Sequence, residues 1–397
     1  APRARARLPG SPAMAPAPAS ERASANKPAD TKFTQQKLPA CKPLLTPKWV
    51  LITCFLIGVV FIPIGVVCLS ASSSVVEYVA RYDNTEECMG YNVDYTTRDG
   101  ETGKKVADTE DFEGADLFLT NNQAKPEGEG TACFVTIDVK KDMKAPVFLY
   151  YEMDNFFQNH RRYVTSRSDL QNLDVGSFTE FADCDLKYLP QEEGEEGEAN
   201  PNYPCGLVAW SFFNDTYALK KDGVALAVDE TGIAWDTDVD NKFDNDPLPE
   251  ELLVLPKGAA EGDAKTVPFI NNVDPAMRGG GVLQADKSLA EQEHFVVWMR
   301  TAALPRFRKL WGIIRSDIPA DSQIRVEINN RYNTYRFKGK KKVVLSTASW
   351  LGGKNAFLGI AFVAVGAASM LFGLVFLAVR LIRPRALGDP ALLSWNQ

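Results

Sequence analysis

The sequence predicts a membrane protein in which two transmembrane α-helices flank a large β-rich segment, with antiparallel strands in a sandwich-like arrangement and a few short helices. Three observations lead to this fold class. Two long apolar runs lie near the ends of the 397-residue chain, the net charge of −7 is distributed very unevenly, and short runs with a period of two residues fill the region between the apolar runs. A composition of 45% hydrophobic and 24% charged residues excludes a disordered or collagen-like protein.

The apolar runs cover residues 49–71 and 356–379, and neither contains a charged side chain. At 1.5 Å per residue each run extends about 35 Å as a helix, enough for a hydrocarbon core of about 30 Å. A buried helix of a soluble domain rarely runs beyond 20 residues without a charge, so we predict that both runs span a membrane.

The charges give these spans an orientation. Residues 1–48 carry a net charge of +7, residues 380–397 carry +2, and the central segment, residues 72–355, carries −16. Under the positive-inside rule both tails lie in the cytosol and the central segment lies in the lumen or outside the cell. An acidic total also argues against a nucleic-acid partner.

Residues 1–30 are rich in Ala, Pro, Arg and Ser and are predicted to be disordered. Because no apolar run precedes residue 49, we expect the first span to act as an uncleaved signal anchor, and Met14 is a candidate native start.

Alternating apolar residues predict strands in the central segment. Cys133, Val135, Ile137 and Val139 would share one face of a strand. Further candidate strands are Pro146–Glu152, Gly206–Phe213, Val224–Val228, His294–Met299, Ile324–Asn330 and Lys341–Thr347. Their irregular spacing and intervening turns favour antiparallel sheets, and short helices are expected near Asp154–Tyr163 and Pro305–Trp311.

Four of the seven cysteines lie in the central segment: Cys88, Cys133, Cys184 and Cys205. An even set in an oxidising compartment predicts two disulfides, with three pairings open, of which the sequential one closes the shortest loops. A zinc site is the alternative, although no C-x-x-C pair exists and both histidines lie away from the cysteines. The sequon Asn214-Asp215-Thr216 lies in the same segment and predicts a glycan on Asn214.

Motifs for catalysis or cofactor binding are missing from the sequence. It has only two histidines, His160 and His294, and it contains no phosphate-binding loop and no dinucleotide fingerprint. The two tails are too short to house a phosphorylated ATPase domain. We therefore expect a protein that is not an enzyme and that holds no cofactor and no metal.

Glycines recur every seven residues in both spans, at Gly58 and Gly65 and at Gly359, Gly366 and Gly373. Such a face lets another helix approach closely, since packing is what associates helices in a membrane. We predict that these glycines pack against a partner helix, and the alternative is that the two spans pack on each other.

Two strings are rich in aromatic and basic residues, NFFQNHRRY at 155–163 and WMRTAALPRFRKLW at 298–311. Either could bind a phosphate or a carboxylate. Internal salt bridges and aromatic packing are the favoured interpretation, with Arg300, Arg306, Arg308 and Lys309 paired to local acids.

Many strings along the chain resemble one known family. They are FTQQKLPACKPLLTPKWV from Phe33, FIPIGVVCL from Phe61, NFFQNHRRYV from Asn155, PCGLVAWSFFNDTY from Pro204, WMRTAALPRFRKL from Trp298, YNTYRF from Tyr332, SWLGGKN from Ser349 and LGDPALLSWN from Leu387. The sequence is similar to the β-subunit family of type IV P-type ATPases, the phospholipid flippases, and especially to the plant and algal subunits that interact with aminophospholipid ATPases.

This resemblance implies a partner and a role. Members of the family bind a ten-span ATPase, accompany it out of the endoplasmic reticulum and support its transport of lipid. The resemblance implies disulfides Cys88–Cys133 and Cys184–Cys205, a glycan on Asn214, and residence in the endoplasmic reticulum, in Golgi or endosomal membranes, or in the plasma membrane. A stand-alone membrane receptor or adhesion protein is the alternative function, and a lumenal hydrolase is a second one.

Overall fold

A computed structural model describes residues 31–36, 38, 46–85, 88, 93–96, 102–105, 118–119, 130–179, 184–189, 200–334 and 337–384. The predicted disordered tail, the candidate start at Met14 and the last residues of the chain lie outside the described residues. The chain forms two compact units, one made of residues 57–369 and the other of the two terminal segments, 1–56 and 370–397.

Two long helices, α1 (Pro47–Ser74) and α8 (Phe357–Ile382), contain the predicted apolar runs. Each is long and apolar enough to cross a bilayer. Only 11% of the most apolar 18-residue stretch of each helix is buried within the protein. Most apolar side chains of the two helices therefore need a lipid or protein environment. The chain is thus a membrane protein with two candidate membrane helices, as the sequence predicts.

Between these helices the structure describes eleven strands. They are β1 (Glu77–Arg81), β2 (Val93–Thr96), β3 (Thr102–Lys105), β4 (Phe118–Leu119), β5 (Thr131–Asp138), β6 (Val147–Asp154), β7 (Thr216–Lys221), β8 (Val224–Leu226), β9 (Phe307–Ile314), β10 (Gln323–Asn330) and β11 (Lys340–Ser346). They form two four-stranded sheets, of order β1-β11-β6-β9 and β5-β10-β7-β8, and a three-stranded sheet of order β3-β2-β4. All described pairs are antiparallel, which confirms the predicted sheet type.

The first sheet connects the two long helices. Strand β1 follows α1, strand β11 precedes α8, and the two strands pair from Glu77 opposite Ser346 onwards. Just beyond this pair, the backbone N–H of Val76 donates to Oγ1 of Thr347 at 3.0 Å, and the N–H of Thr347 donates to the carbonyl of Val76 at 3.0 Å. One strand pair therefore joins the end of α1 to the start of α8, the two helix ends that the charge pattern predicts to be lumenal.

The inward faces of the two four-stranded sheets share one core. Val135 and Ile137 of β5 and Ile324, Val326 and Ile328 of β10 are buried with the alternation that their sequences predict. Aromatic rings join the two sheets, because Tyr217 of β7 contacts Trp311 of β9 edge-on at 5.2 Å between ring centroids. This arrangement agrees with the predicted sandwich-like domain.

In the described part of the chain six short α-helices accompany the sheets: α2 (Arg161–Thr165), α3 (Asp169–Leu173), α4 (Leu207–Trp210), α5 (Asp236–Lys242), α6 (Ile270–Val273) and α7 (Glu293–Met299). Two of these helices, α4 and α7, lie where the sequence predicts strands, at Gly206–Phe213 and His294–Met299, so the prediction of strands is wrong there. In α7 the buried residues are Phe295, Val296, Trp298 and Met299, which is the spacing of a helix face and not the alternation of a strand.

The expected helix at Pro305–Trp311 is also wrong, since this region begins β9. Its inward positions are Phe307, Lys309 and Trp311, so a buried lysine occupies a position where the pattern needs an apolar residue. The helix expected near Asp154–Tyr163 is displaced, because β6 extends to Asp154 and α2 begins only at Arg161.

Two disulfides connect the central segment. Cys88 pairs with Cys133 at the start of β5, and Cys184 pairs with Cys205 just before α4. This is the sequential pairing, and Cys88, Cys133, Cys184 and Cys205 are all buried. Cys54 and Cys68, both in α1, are free cysteines.

Candidate functional site

The glycines of the long helices face the other helix of the same chain. A Cβ atom built on Gly65 would lie 2.6 Å from Cγ2 and 2.8 Å from the backbone nitrogen of Val363. One on Gly359 would lie 2.9 Å from the backbone nitrogen of Leu69, and one on Gly366 would lie 2.8 Å from Ile62. Only glycine, which has no side chain, allows the two helix backbones to approach this closely. Phe61 and Phe362 add an edge-on aromatic contact between the same two helices.

The remaining glycines differ in how tightly they are enclosed. Gly373 is closest to Cys54, at 3.3 Å from a built Cβ, so its contact is looser than that of Gly65. Gly58 is buried. Four of the five predicted glycines thus contact the other long helix of the same chain, which is the alternative to packing against a partner helix.

Large apolar side chains cover the outward faces of both helices. In α1 they include Leu56, Val59 and Val66, exposed by 60%, 63% and 54%. In α8 Leu371 and Phe372 are exposed by 62% and 71%. These faces, and not the glycine faces, are therefore free for lipid or for helices of another protein.

A buried polar network lies at the sequon. The carboxylate of Asp215 accepts hydrogen bonds from Nζ of Lys341 at 2.6 Å, from the hydroxyl of Tyr82 at 2.7 Å, and from the backbone N–H groups of Arg331 and Tyr332 at 2.6 and 2.7 Å. Lys341 also donates to the carbonyl of Tyr332 at 2.6 Å and to the side chain of Asn330. Burial lowers the pKa of Lys341, and the charge of Asp215 opposes that shift.

This network joins three strands to the loop that carries Asn214. Lys341 lies in β11, Asn330 lies at the end of β10, and Asp215 immediately precedes β7. The amide of Asn330 also donates to the carbonyl of Cys88 at 3.0 Å, so the first disulfide is tied to the same group. Sequence reasoning singled out Asn214 but missed Asp215 and Lys341, because nothing local marks an ion pair between residues so distant in the chain.

Three of the four basic residues of the second aromatic string pair with local acids, as predicted, and Arg300 lies 3.7 Å from Asp238. Arg306 and Arg308 contact the buried carboxylate of Glu152 at 2.8 and 3.2 Å, and Arg308 also contacts Glu77 at 2.6 Å. Among the described residues Lys309 pairs with no acid: its Nζ donates to the carbonyls of Val297, Trp298 and Arg300 at the end of α7. Burial lowers the pKa of Lys309 well below its usual value.

The first aromatic string is also used for packing. The ring of Phe156 makes edge-on contacts with Tyr163, Trp298, Phe307 and Phe337. Arg162 forms a salt bridge with Asp185 at 3.2 Å. These contacts confirm the internal interpretation of this string.

The histidines do not come together as a catalytic set. His294 lies in α7, where its Nε2 is 2.9 Å from a carboxylate oxygen of Glu230 and its ring contacts Trp311 at a tilt of 39°. His160 is exposed before α2. Within the described ranges no cluster of three or more His, Cys, Asp or Glu side chains is arranged to hold a metal ion.

Most of the chain matches the model of one known protein family. The model of the LEM3 (ligand-effect modulator 3) / CDC50 family matches residues 41–386. The chain belongs to the LEM3/CDC50 family. The resemblance seen in the sequence strings is thereby confirmed.

Relatives within the LEM3/CDC50 family match over nearly the whole chain. "ALA-interacting subunit 3" of Arabidopsis thaliana is 44% identical over 377 residues, which are 95% of this chain and 93% of the relative. "Cell cycle control protein 50A" of Bos taurus is 35% identical over 92% of both chains. "Phospholipid-transporting ATPase accessory subunit CRF1" of Saccharomyces cerevisiae is 32% identical over 93% of this chain and 89% of the relative.

Proposed function

We propose that this chain is the non-catalytic accessory β-subunit of a type IV P-type ATPase that transports phospholipid, with which it forms a heterodimer. The observation that carries the proposal is the match, over nearly the full chain, to relatives named as interacting or accessory subunits of such transporters. As accessory subunit it supports folding of the ATPase, its exit from the endoplasmic reticulum and its translocation of lipid.

The proposal includes an orientation in the membrane. The chain has a cytosolic tail at 1–48, spans at 49–71 and 356–379, a lumenal or extracellular central segment at 72–355, and a second cytosolic tail at 380–397. The charges of +7, −16 and +2 support this orientation. The two disulfides support it as well, since such bonds persist in oxidising compartments.

The outward faces of α1 and α8 would contact the helices of the ATPase. The inward glycine faces are already occupied by the chain itself, whereas side chains such as Leu371 and Phe372 are exposed. The acidic central segment would cover lumenal loops of the ATPase, with Asn214 carrying a glycan on that side of the membrane.

Co-expression tests the function. A candidate type IV ATPase is expressed with and without this chain, and surface delivery, co-purification and ATP-dependent uptake of labelled phospholipid are measured. We expect the ATPase to remain in the endoplasmic reticulum when this chain is absent. An ATPase that leaves the reticulum and transports lipid equally well alone would contradict the proposal and would favour a stand-alone receptor.

Cysteine labelling tests the orientation separately. In intact cells a membrane-impermeant maleimide should label Cys41 of the first tail only after the plasma membrane is permeabilised. A chain with Cys41→Ser provides the matched control. Labelling of Cys41 in surface-exposed protein without permeabilisation would reverse the proposed orientation.

A further inference from the structure

A cavity of about 180 Å³ opens beside Asn214, which is one of its lining residues. A cavity of about 150 Å³ accommodates one six-membered ring, whereas sites for drug-sized ligands start at about 300 Å³. The space beside Asn214 therefore suits a single ring with its substituents.

The lining combines aromatic and polar side chains. Phe212 and Trp311 contribute ring surface, and Glu230, Arg278 and Gln284 contribute hydrogen-bonding groups. Arg278 is only 8% exposed, and Glu230 is fixed by its 2.9 Å contact with His294. Ring faces next to carboxylate, amide and guanidinium groups match a sugar, whose C–H faces are apolar and whose hydroxyls donate and accept.

The backbone holds Asn214 at this cavity. Its neighbour Asp215 is fixed by four hydrogen bonds in the buried network, and Thr216 begins β7 with an exposed side chain. Asn214 is thus positioned by a rigid core on one side and lines the cavity on the other.

We propose that this cavity binds the first N-acetylglucosamine of a glycan attached to Asn214. The inference rests on glycosylation of Asn214 and not on which ATPase the chain accompanies. Because the sugar is tethered to the rim of its own site, its effective concentration there is in the millimolar range, so even weak contacts keep it bound.

Enzymatic deglycosylation of the full-length chain in detergent tests this site. The chain offers a matched reference in the β7–β8 turn, where Asp222 has a φ of 49° and Val224 is 70% exposed. The double variant Asp222→Asn/Val224→Thr creates a second sequon there, and asparagine tolerates this backbone conformation. We expect peptide N-glycosidase to release the glycan of Asn214 about tenfold more slowly than that of position 222 in the native chain, and equally fast after unfolding in urea.

Cavity variants separate sugar binding from simple crowding. Glu230→Ala and Gln284→Ala should each speed the native release from Asn214 and leave the release at position 222 unchanged. Equal native rates at the two sites, cavity variants that change nothing, or a chain that carries no glycan on Asn214 would each overturn the proposal. A chain without a glycan on Asn214 would also contradict that part of the proposed function. Delivery and lipid uptake of the ATPase in co-expression are measured independently, so failure of the sugar site and failure of the accessory role are distinguishable.

Discussion

At the scale of single residues, the buried charge of Lys341 stabilises the core through its ion pair with Asp215. Its ammonium and the carboxylate of Asp215 are both fully buried, so removal of one leaves the other without its opposing charge. We expect Lys341→Met to lower the free energy of unfolding by about 3–5 kcal/mol, as measured by thermal unfolding of the purified chain. Lys340→Met, one residue away on the exposed face of β11, should change it by less than about 0.5 kcal/mol.

A double variant sharpens this prediction. Lys341→Met combined with Asp215→Asn removes both charges and should recover part of the loss, because the uncompensated carboxylate is gone. If the loss of unfolding free energy in the double variant equals the sum of the losses in the two single variants, Lys341 and Asp215 do not interact as described.

Glu152 gives the domain a pH dependence. Burial alone raises the pKa of this carboxyl, but hydrogen bonds from Lys342 and Arg306, together with their charges, lower it below its usual value. A lowered pKa stabilises the folded state above the unfolded pKa of about 4.5, and this contribution is lost as the pH falls through the folded value. Glu152→Gln should therefore destabilise the chain by about 2 kcal/mol at pH 7.

The measurement for Glu152 is thermal unfolding of the original chain and the variant from pH 7 to pH 3. The difference in stability should shrink steadily below pH 4.5. A difference that stays constant over this range would show that the carboxylate charge contributes nothing.

The residues of these networks could not be predicted from the sequence. Asp215 and Lys341 are 126 positions apart, and Glu152 and Arg306 are 154 apart. The sequence contains 51 acidic and 44 basic residues, and only the fold selects the pairs. The sequon was visible because its signal is local.

At the scale of elements, the contact between α1 and α8 depends on glycines at close approach. A methyl group on Gly65 would meet the backbone of Val363, which cannot move aside without displacing the helix. We expect Gly65→Ala to destabilise the helix pair by about 1–3 kcal/mol and to weaken cross-linking between cysteines introduced on the two helices.

Gly373→Ala is the control for this prediction, because its methyl group would lie 3.3 Å from the nearest atom. It should weaken cross-linking clearly less than Gly65→Ala does, because its neighbour Cys54 need shift by only a few tenths of an ångström. Equal effects of the two variants would mean that the spacing between the helices is not set at Gly65.

Elements were predictable where one pattern dominated. Strands β5 and β10 alternate cleanly, and the two long helices carry no charge within the bilayer-length runs. Helices α4 and α7 were predicted as strands because a short apolar run fits either structure until its buried face is known. Strand β9 was missed because Lys309 points inward, where three backbone carbonyls accept its hydrogen bonds.

At the scale of the whole molecule, the two described disulfides stabilise the fold by lowering the conformational entropy of the unfolded chain. Their cysteines are 45 and 21 residues apart, so in the chain-entropy model they contribute about 4 and about 3 kcal/mol. We expect Cys88→Ser/Cys133→Ser to lower the unfolding temperature more than Cys184→Ser/Cys205→Ser.

Thermal unfolding of the three chains under non-oxidising, non-reducing conditions checks this order. Cys54→Ser, at a free cysteine of α1, should leave the unfolding temperature of the central segment unchanged. The reverse order would mean that strain or residual structure in the unfolded chain outweighs loop length.

The pairing of β1 with β11 determines when the first sheet can form during synthesis. Glu77 pairs with Ser346, which is synthesised roughly 270 residues later, and β11 lies between β1 and β6 in the sheet. At about 5–20 residues per second, a ribosome takes tens of seconds to make the strand that completes this sheet. During that interval β1 and β6 have open edges that a chaperone can bind, and a chain that terminates early cannot close its sheet. Completion of this sheet thus reports that synthesis has reached the second membrane helix.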